Sequence, residues 1–319
     1  MPPRNPCAVS RPVDEFELIR RYFVRAGDSE GVVAGIGDDG AVLRVGPGRE
    51  LVTVVDTLVE GTHFPADIAA ADLGYRAVAV NLSDIAAMAS RPLWMTLALT
   101  MPPKSDEWLD GFASGLFAAA DEHGVCLVGG DTTGGPCVVV SVQITGDLRA
   151  DAAVLRSGAE PGDTVYVTGT LGDAAAGLSM IGAANADEFL VGRFLRPQAR
   201  VATGLALAGV ASACIDVSDG LAGDLKKLLE ASSVGADLNL DALPLSDAMT
   251  AAFDEDVARR FAATGGDDYE LCFTSPQNVP AEIAGVPVTA IGTVNDSDRL
   301  VCRSAGAVVE VDDSGYRHF

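Results

Sequence analysis

SGAEPGDTVYVTGTLGDAAAGL, residues 157–178, decides how the chain is divided. Its first seven residues are turn chemistry with neither a helical nor a strand period. A strand, TVYVTG, follows, and then a helix from about residue 172. The seam places a boundary near residue 148, giving units 1–148 and 149–319. Downstream, helix 199–209 precedes strand ACIDV and helix 220–231, whose Leu221, Leu225, Leu228 and Leu229 share one face. DLNL, ELCFT, PVTAIGTV, RLVCR and AVVEV read as short strands. Upstream, Val13, Phe16, Ile19 and Phe23 have helical spacing over 13–26. AVLRV and LVTVVDT are short strand candidates. Residues 70–89 read as helical, with NLSD a candidate interruption. WMTLALTM reads as a buried strand, and 105–123 as a helix with Ser105 as N-cap. VCLVGGD and CVVVSVQITGDL complete the first unit. The expected class is α/β or α+β, in two domains.

Composition removes several functions. The 319 residues carry 45 acids and 22 bases, a net charge of −23. Only Lys104, Lys226 and Lys227 are lysines. Nucleic-acid binding needs clustered Lys and Arg, and an anionic membrane surface needs the same. No run of about 18 uncharged apolar residues suggests a membrane span. The N-terminal MPPRNPCAVSRPVDEF lacks the apolar stretch of a secretory signal. Cysteines 7, 126, 137, 214, 272 and 302 form no C-x-x-C pair. Cys126, Cys137, Cys272 and Cys302 lie in strand-like runs, which suggests core thiols and a reducing cytoplasm.

GIGDDGAV, 35–42, fits G-x-G-x-x-G. A dinucleotide fingerprint should open a helix, whereas AVLRV reads as a strand. Asp38 and Asp39 would also repel a bare phosphate in that turn. The V-A-I-K, H-R-D and D-F-G motifs of protein kinases, the Walker P-loop, G-x-S-x-G and H-E-x-x-H are absent.

What stands out is a series of aspartates beside Gly, Ser and Thr: Asp38, Asp39, Asp56, Asp84, Asp131, Asp216, Asp219, Asp267 and Asp268. Each alone reads as a cap or turn residue; Asp219 and Asp84 could cap the helices that follow them. Together they follow apolar runs (TVV-D, CLVGG-D, ACI-D), where chains leave a sheet core and sites are built. Converging carboxylates need cations, and lysine is nearly missing. An oxygen-only donor set with few histidines suits Mg²⁺ better than Zn²⁺. The residues therefore point to nucleotide-phosphate chemistry with metal ions neutralising the phosphates.

The motif set, in order along nearly the whole chain, resembles the thiamine-monophosphate kinase family. The motifs are FELIRRYF, GIGDDGAVL, DTLVEGTHF, NLSDIAAMAS, GGDTTGG, SGAEPGDTVYVTGTLGDAAAGL, RFLRPQAR, IDVSDGLAGDL, GGDDYELCFT and GYRHF. That family belongs to the superfamily of aminoimidazole ribonucleotide synthetase. The resemblance implies two α/β domains, a homodimer paired through the N-terminal domains, and transfer of phosphate from ATP to thiamine monophosphate. It implies Asp39, Asp56, Asp84, Asp131, Asp216 and Asp219 as Mg²⁺ ligands, and the doubled acid leaves room for Asp38 to share that task. Gly130, Asp131, Arg156 and Ser218 are implied ATP contacts. His63, Asp267 and Tyr316 are implied contacts to thiamine monophosphate. Three positions depart from the family. Val54 and Val55 replace hydroxyl residues before Asp56, and Asp267 replaces a common Glu. A phosphate monoester acceptor is already about −1.5 to −2 at neutral pH. In-line transfer without an essential general base or phospho-enzyme is therefore expected. Competing expectations are another ATP-using enzyme of the superfamily, an acidic metal-binding protein without catalysis, and a nicotinamide oxidoreductase resting on GIGDDG. A selenophosphate synthetase is disfavoured because no lysine precedes Lys104.

Overall fold

The computed structural model describes residues 15–25, 29–37, 39–313 and 315. Its first unit contains α1 (Glu15–Tyr22), β1 (Val32–Ala34), β2 (Val42–Leu43), β3 (Arg49–Val59), α2 (Ala70–Ala87), β4 (Arg91–Met101), α3 (Asp106–Glu122), β5 (Cys126–Gly134) and β6 (Val139–Arg149). Four strands form one sheet in the order β3-β6-β4-β5, with only β4 and β5 parallel. GIGDDG runs into β2, a strand, whereas the rejected dinucleotide reading requires a helix.

One face of this sheet is apolar and covered by α2 and α3. The other carries hydroxyls and lies open. On β3, Leu51, Thr53, Val55 and Thr57 are exposed, alternating with buried or half-buried neighbours. Hydroxyl pairs cross that face at Thr57–Ser141 (2.8 Å) and Thr100–Thr133 (3.0 Å).

Helix α2 is continuous through NLSD, so that motif is no interruption. Burial on nearly every side holds it: the sheet, α3, and residues 201–206 all pack against it. Its crossing with α3 works through glycine. A Cβ on Gly74 would lie 2.1 Å from the Phe112 carbonyl oxygen, and one on Gly115 would lie 1.8 Å from that of Ala71. Backbone cannot swing aside as a flexible side chain can. Gly74→Ala is therefore expected to cost about 1–3 kcal/mol or more. Urea unfolding should show a lower midpoint at unchanged slope; a wild-type midpoint would refute the tight crossing.

The second unit contains β7 (Thr164–Thr168), α4 (Asp173–Met180), α5 (Glu188–Leu195), α6 (Val201–Ala206), β8 (Ala213–Val217), α7 (Leu221–Ser232) and β9 (Gly235–Asn239). It continues with α8 (Asp247–Ala252), α9 (Glu255–Thr264), β10 (Glu270–Ser275), β11 (Glu282–Ile283), β12 (Val286–Asn295), β13 (Leu300–Ser304) and β14 (Ala307–Val309). The mostly antiparallel sheet runs β14-β13-β9-β12-β7-β10-β8, with β11 on β12. The leucine face of α7 is fully buried against it. Helices α5, α8 and α9 were not expected from the sequence. Cys214, Cys272 and Cys302 are buried in strands, but Cys137 precedes β6 in a loop and is half-buried. Among the described residues, no helix is long and apolar enough to cross a membrane.

Candidate active site

Helix α2 organises a cleft of about 1000 Å³ between the two units. Arg76, Val80 and Asp84 line it at i, i+4 and i+8, one stripe of the helix. Beside it, β3 supplies Asp56 and the turn after it His63. The second unit supplies Asp216 from β8, Ser218 and Asp219 from the loop after it, and Asp267 and Tyr269.

Polar side chains of α2 brace this wall. Asn81, fully buried, donates to Ala77 O (3.0 Å) and accepts the Asp56 amide (3.0 Å). Ser83 donates to Asp216 Oδ2 (2.8 Å) across the junction of the units. The buried Asp224 on α7 accepts the amides of Ser218 and Asp219, both at 2.9 Å. Lys227, one turn further, bridges Asp219 (2.6 Å) and Asp224 (2.9 Å). Asn81, Ser83, Asp224, Lys227 and Arg76 escaped the sequence reading. The second acid of SDGLAGD, one turn into an amphipathic helix, was the available signal for Asp224.

Like charge and burial act together here. Burial, then the nearby Asp56 charge, pushes the Asp84 carboxyl up to about 7, opposed by Arg156. Burial and the Asp84 charge hold Asp216 well above the usual carboxylate range. Burial and Asp219 raise Asp56. His63 Nδ1 accepts the Val59 amide (3.0 Å), which places the ring proton on Nε2.

Several expectations change. Asp84 lies inside α2 and caps nothing. Gly220, not Asp219, is the N-cap of α7. Asp56, Asp131 and Asp216 lie within strands, not beyond their ends, because these strands continue past their apolar runs. Lysine is not missing from the acidic wall, since Lys227 binds Asp219.

The expected metal ligands fall into two places. Asp56, Asp84, Asp216 and Asp219 line the cleft. Asp39 and Asp131, with Gly130, line a second cavity of about 760 Å³ beneath α1. Asp56 and Asp131 sit on the two edge strands, three strand spacings apart, roughly 14 Å. Among the described residues, no three His, Cys, Asp or Glu side chains form a group that could hold an ion by themselves. Val54 packs towards the core and Val55 is exposed, so neither replaces the missing hydroxyls. Asp38 and Tyr316 lie outside the described residues.

The doubled acid of GGDDYEL has two uses. The Asp268 carboxylate is buried and accepts the amides of Gly172 (2.5 Å) and Ala174 (3.2 Å) at the start of α4. Asp267 faces the cleft from a left-handed backbone, φ +69°, and Tyr269 follows at φ +53°. Their amides donate to Ser218 O and Val217 O, both at 2.8 Å, which holds this uncommon conformation.

Residues 37–148 match the AIR synthase related protein N-terminal domain, and 160–304 match the corresponding C-terminal domain. The chain is 46% identical to the thiamine-monophosphate kinase of Salmonella typhimurium over 319 residues, 96% of this chain and 98% of the relative. A solved thiamine-monophosphate kinase from Stenotrophomonas maltophilia is 42% identical and superposes with a TM-score of 0.82, covering 88% of this chain and 93% of that one. AaThiL, solved in complex with AMPPCP and TMP, is 30% identical with a TM-score of 0.77, covering 89% and 92%.

Proposed function

Because the chain belongs to the AIR synthase related family, in its thiamine-monophosphate kinase branch, we propose that it converts ATP and thiamine monophosphate into ADP and thiamine diphosphate. One observation supports this reading most: a single cleft holds Asp56, Asp84, Asp216 and Asp219 together with His63 and Asp267. Two polyanions could meet there.

The donor set fits Mg²⁺. It is all oxygen, and burial raises the proton affinities of Asp56, Asp84 and Asp216. Mg²⁺ is commonly held by one or two carboxylates plus waters and substrate phosphates, so a closed protein cage is not required. Asp56, Asp84, Asp216 and Asp219 would hold it on this side, with Asp39 (or Asp38) and Asp131 as the remaining ligands. When bound, the ion would neutralise phosphate charge. Gly130, Asp131, Arg156 and Ser218 are assigned to ATP, and His63, Asp267 and Tyr316 to thiamine monophosphate. The acceptor phosphate needs no deprotonation, so no side chain is assigned as general base. Positioning and charge carry the reaction, as in phosphoryl transfer generally.

The open sheet face supports a homodimer. Leu51 is 51% exposed and Val55 64%, on a strand with a free edge. Because Asp39 and Asp131 line a separate cavity within one chain, they are assigned to the cleft of the partner copy. ATP as donor and the five free cysteines described support a cytoplasmic setting.

Phosphorus NMR with ATP, Mg²⁺ and thiamine monophosphate tests the function, with EDTA as control. Stoichiometric ADP and thiamine diphosphate, abolished by EDTA, are expected. ATP consumption without thiamine diphosphate would mean a different acceptor. His63→Ala removes an N–H donor from the substrate side. It should raise KM for thiamine monophosphate about tenfold, near 1.4 kcal/mol, and leave KM for ATP unchanged. A rise confined to ATP would reassign His63.

A further inference from the structure

We propose that Arg76 is a positioning residue for the substrate, fixing Asp267 so that one carboxylate oxygen faces the cleft. The inference rests on the kinase reading above and assigns a role to a residue outside the recognised motifs. Arg76 is 1% exposed and belongs to the first unit, yet both its terminal nitrogens bond to the second. Nη1 donates to Phe194 O, and Nη2 donates to Asp267 Oδ1. The guanidinium stacks 4.3 Å from the Phe194 ring centroid and lies 5.7 Å from that of Tyr269.

Tyr269 Oη donates to the same oxygen, Asp267 Oδ1, at 3.1 Å. Oδ1 thus takes two donors, while the hydrogen bonds among the described residues include none to Oδ2. The Asp267 backbone is fixed independently, through its amide on Ser218 O. Rotating the carboxylate would break both bonds to Oδ1 at once. A half-buried carboxylate held this way offers one oriented acceptor, which suits an N–H donor or a cationic ring. Thiamine monophosphate carries both, an aminopyrimidine and a thiazolium.

Arg76 meets this requirement at a cost. Its Nε is buried without a partner. Such an orphan donor is unfavourable, so the guanidinium is oriented by its two terminal acceptors at the expense of the third nitrogen. A planar fork can serve a carbonyl and a carboxylate together, which the single ammonium of lysine cannot do with the same geometry.

The test is steady-state kinetics of the full-length protein and its variants Arg76→Gln, Asp267→Asn and the double variant. Arg76→Gln should raise KM for thiamine monophosphate about tenfold or more with KM for ATP within about twofold. Asp267→Asn should do the same, and the double variant should be no worse than the poorer single one. Equal rises in both KM values, a fall in kcat alone, or additive losses would overturn the proposal. If Arg76→Gln does not fold, Tyr269→Phe carries the test, since it deletes only the second bond to Oδ1. It should raise the same constant by about two- to fivefold, and an unchanged constant overturns the proposal. If the wild type binds ATP but does not turn over thiamine monophosphate, the kinase reading has failed and this inference falls with it. Wild-type turnover with indifferent Arg76 and Tyr269 variants rejects this inference alone.

Discussion

Asp84→Asn is expected to abolish most turnover while making the metal-free protein more stable. The substitution keeps the shape of the side chain in α2 but removes a charge from the acidic wall. Loss of one essential carboxylate should lower kcat at least ~100-fold, about 2.7 kcal/mol of transition-state stabilisation. Stability should move the other way, because burial and the Asp56 charge push the Asp84 carboxyl up to about 7. Near pH 4 and below, the carboxyl is protonated in the folded state and increasingly so in the unfolded chain. Between about pH 4 and 7 the unfolded chain releases a proton that the folded one keeps, so wild-type stability falls as pH rises. The variant lacks that loss and should exceed the wild type at pH 8 by roughly 1–3 kcal/mol. Thermal unfolding in EDTA at pH 4 and pH 8 measures it. Equal stability at both pH values, or near-normal kcat, would remove Asp84 from the wall's function.

Asp131→Asn and Asp84→Asn should each be inactive alone and complement each other in a mixed dimer. Within one chain the two edge strands of the first sheet are separated by β6 and β4. If Asp131 of one copy completes the cleft of the other, a heterodimer holds one intact site and one doubly altered site. Differently tagged variants, co-expressed and purified through both tags, should show about half the wild-type activity per dimer. No recovery would mean that each site is built within one copy. Recovery would also account for Leu51 and Val55, apolar residues otherwise exposed on a free edge.

Much of this molecule was legible because its signals are local. The leucine face of α7, the Ser105 cap of α3 with its 3.2 Å bond to the Trp108 amide, and the strand run LVTVVDT of β3 are read over a few residues. Aspartate misled where context overrode it. Asp84 looks like a cap, yet burial on nearly all sides carries α2 through NLSD. Asp56 looks like a strand end because its apolar run stops, whereas β3 continues to Val59 with an uncovered face. Helices α8 and α9 are short and preceded by ordinary turn residues, Ser246 and Asp254, whose capping shows only in three dimensions. The division of the acids between two cavities depends on strand order, which spacing along a chain does not encode. Arg76 gave no signal either, since a lone arginine in an apolar helix reads as a solvated residue, and its partners lie over a hundred positions away.

The stripe of Arg76, Val80 and Asp84, with Asn81 and Ser83 beside it, ties the cleft to the pitch of one helix. Each residue of an α-helix advances the azimuth by about 100°. One residue inserted or deleted between Arg76 and Asp84 would turn either the Asp267 anchor or the acidic wall away from the cleft. Point substitutions in this segment can be partial in effect, but a change of length cannot. Relatives that retain the same chemistry should therefore align through these nine positions without a gap, however much the flanking loops vary in length.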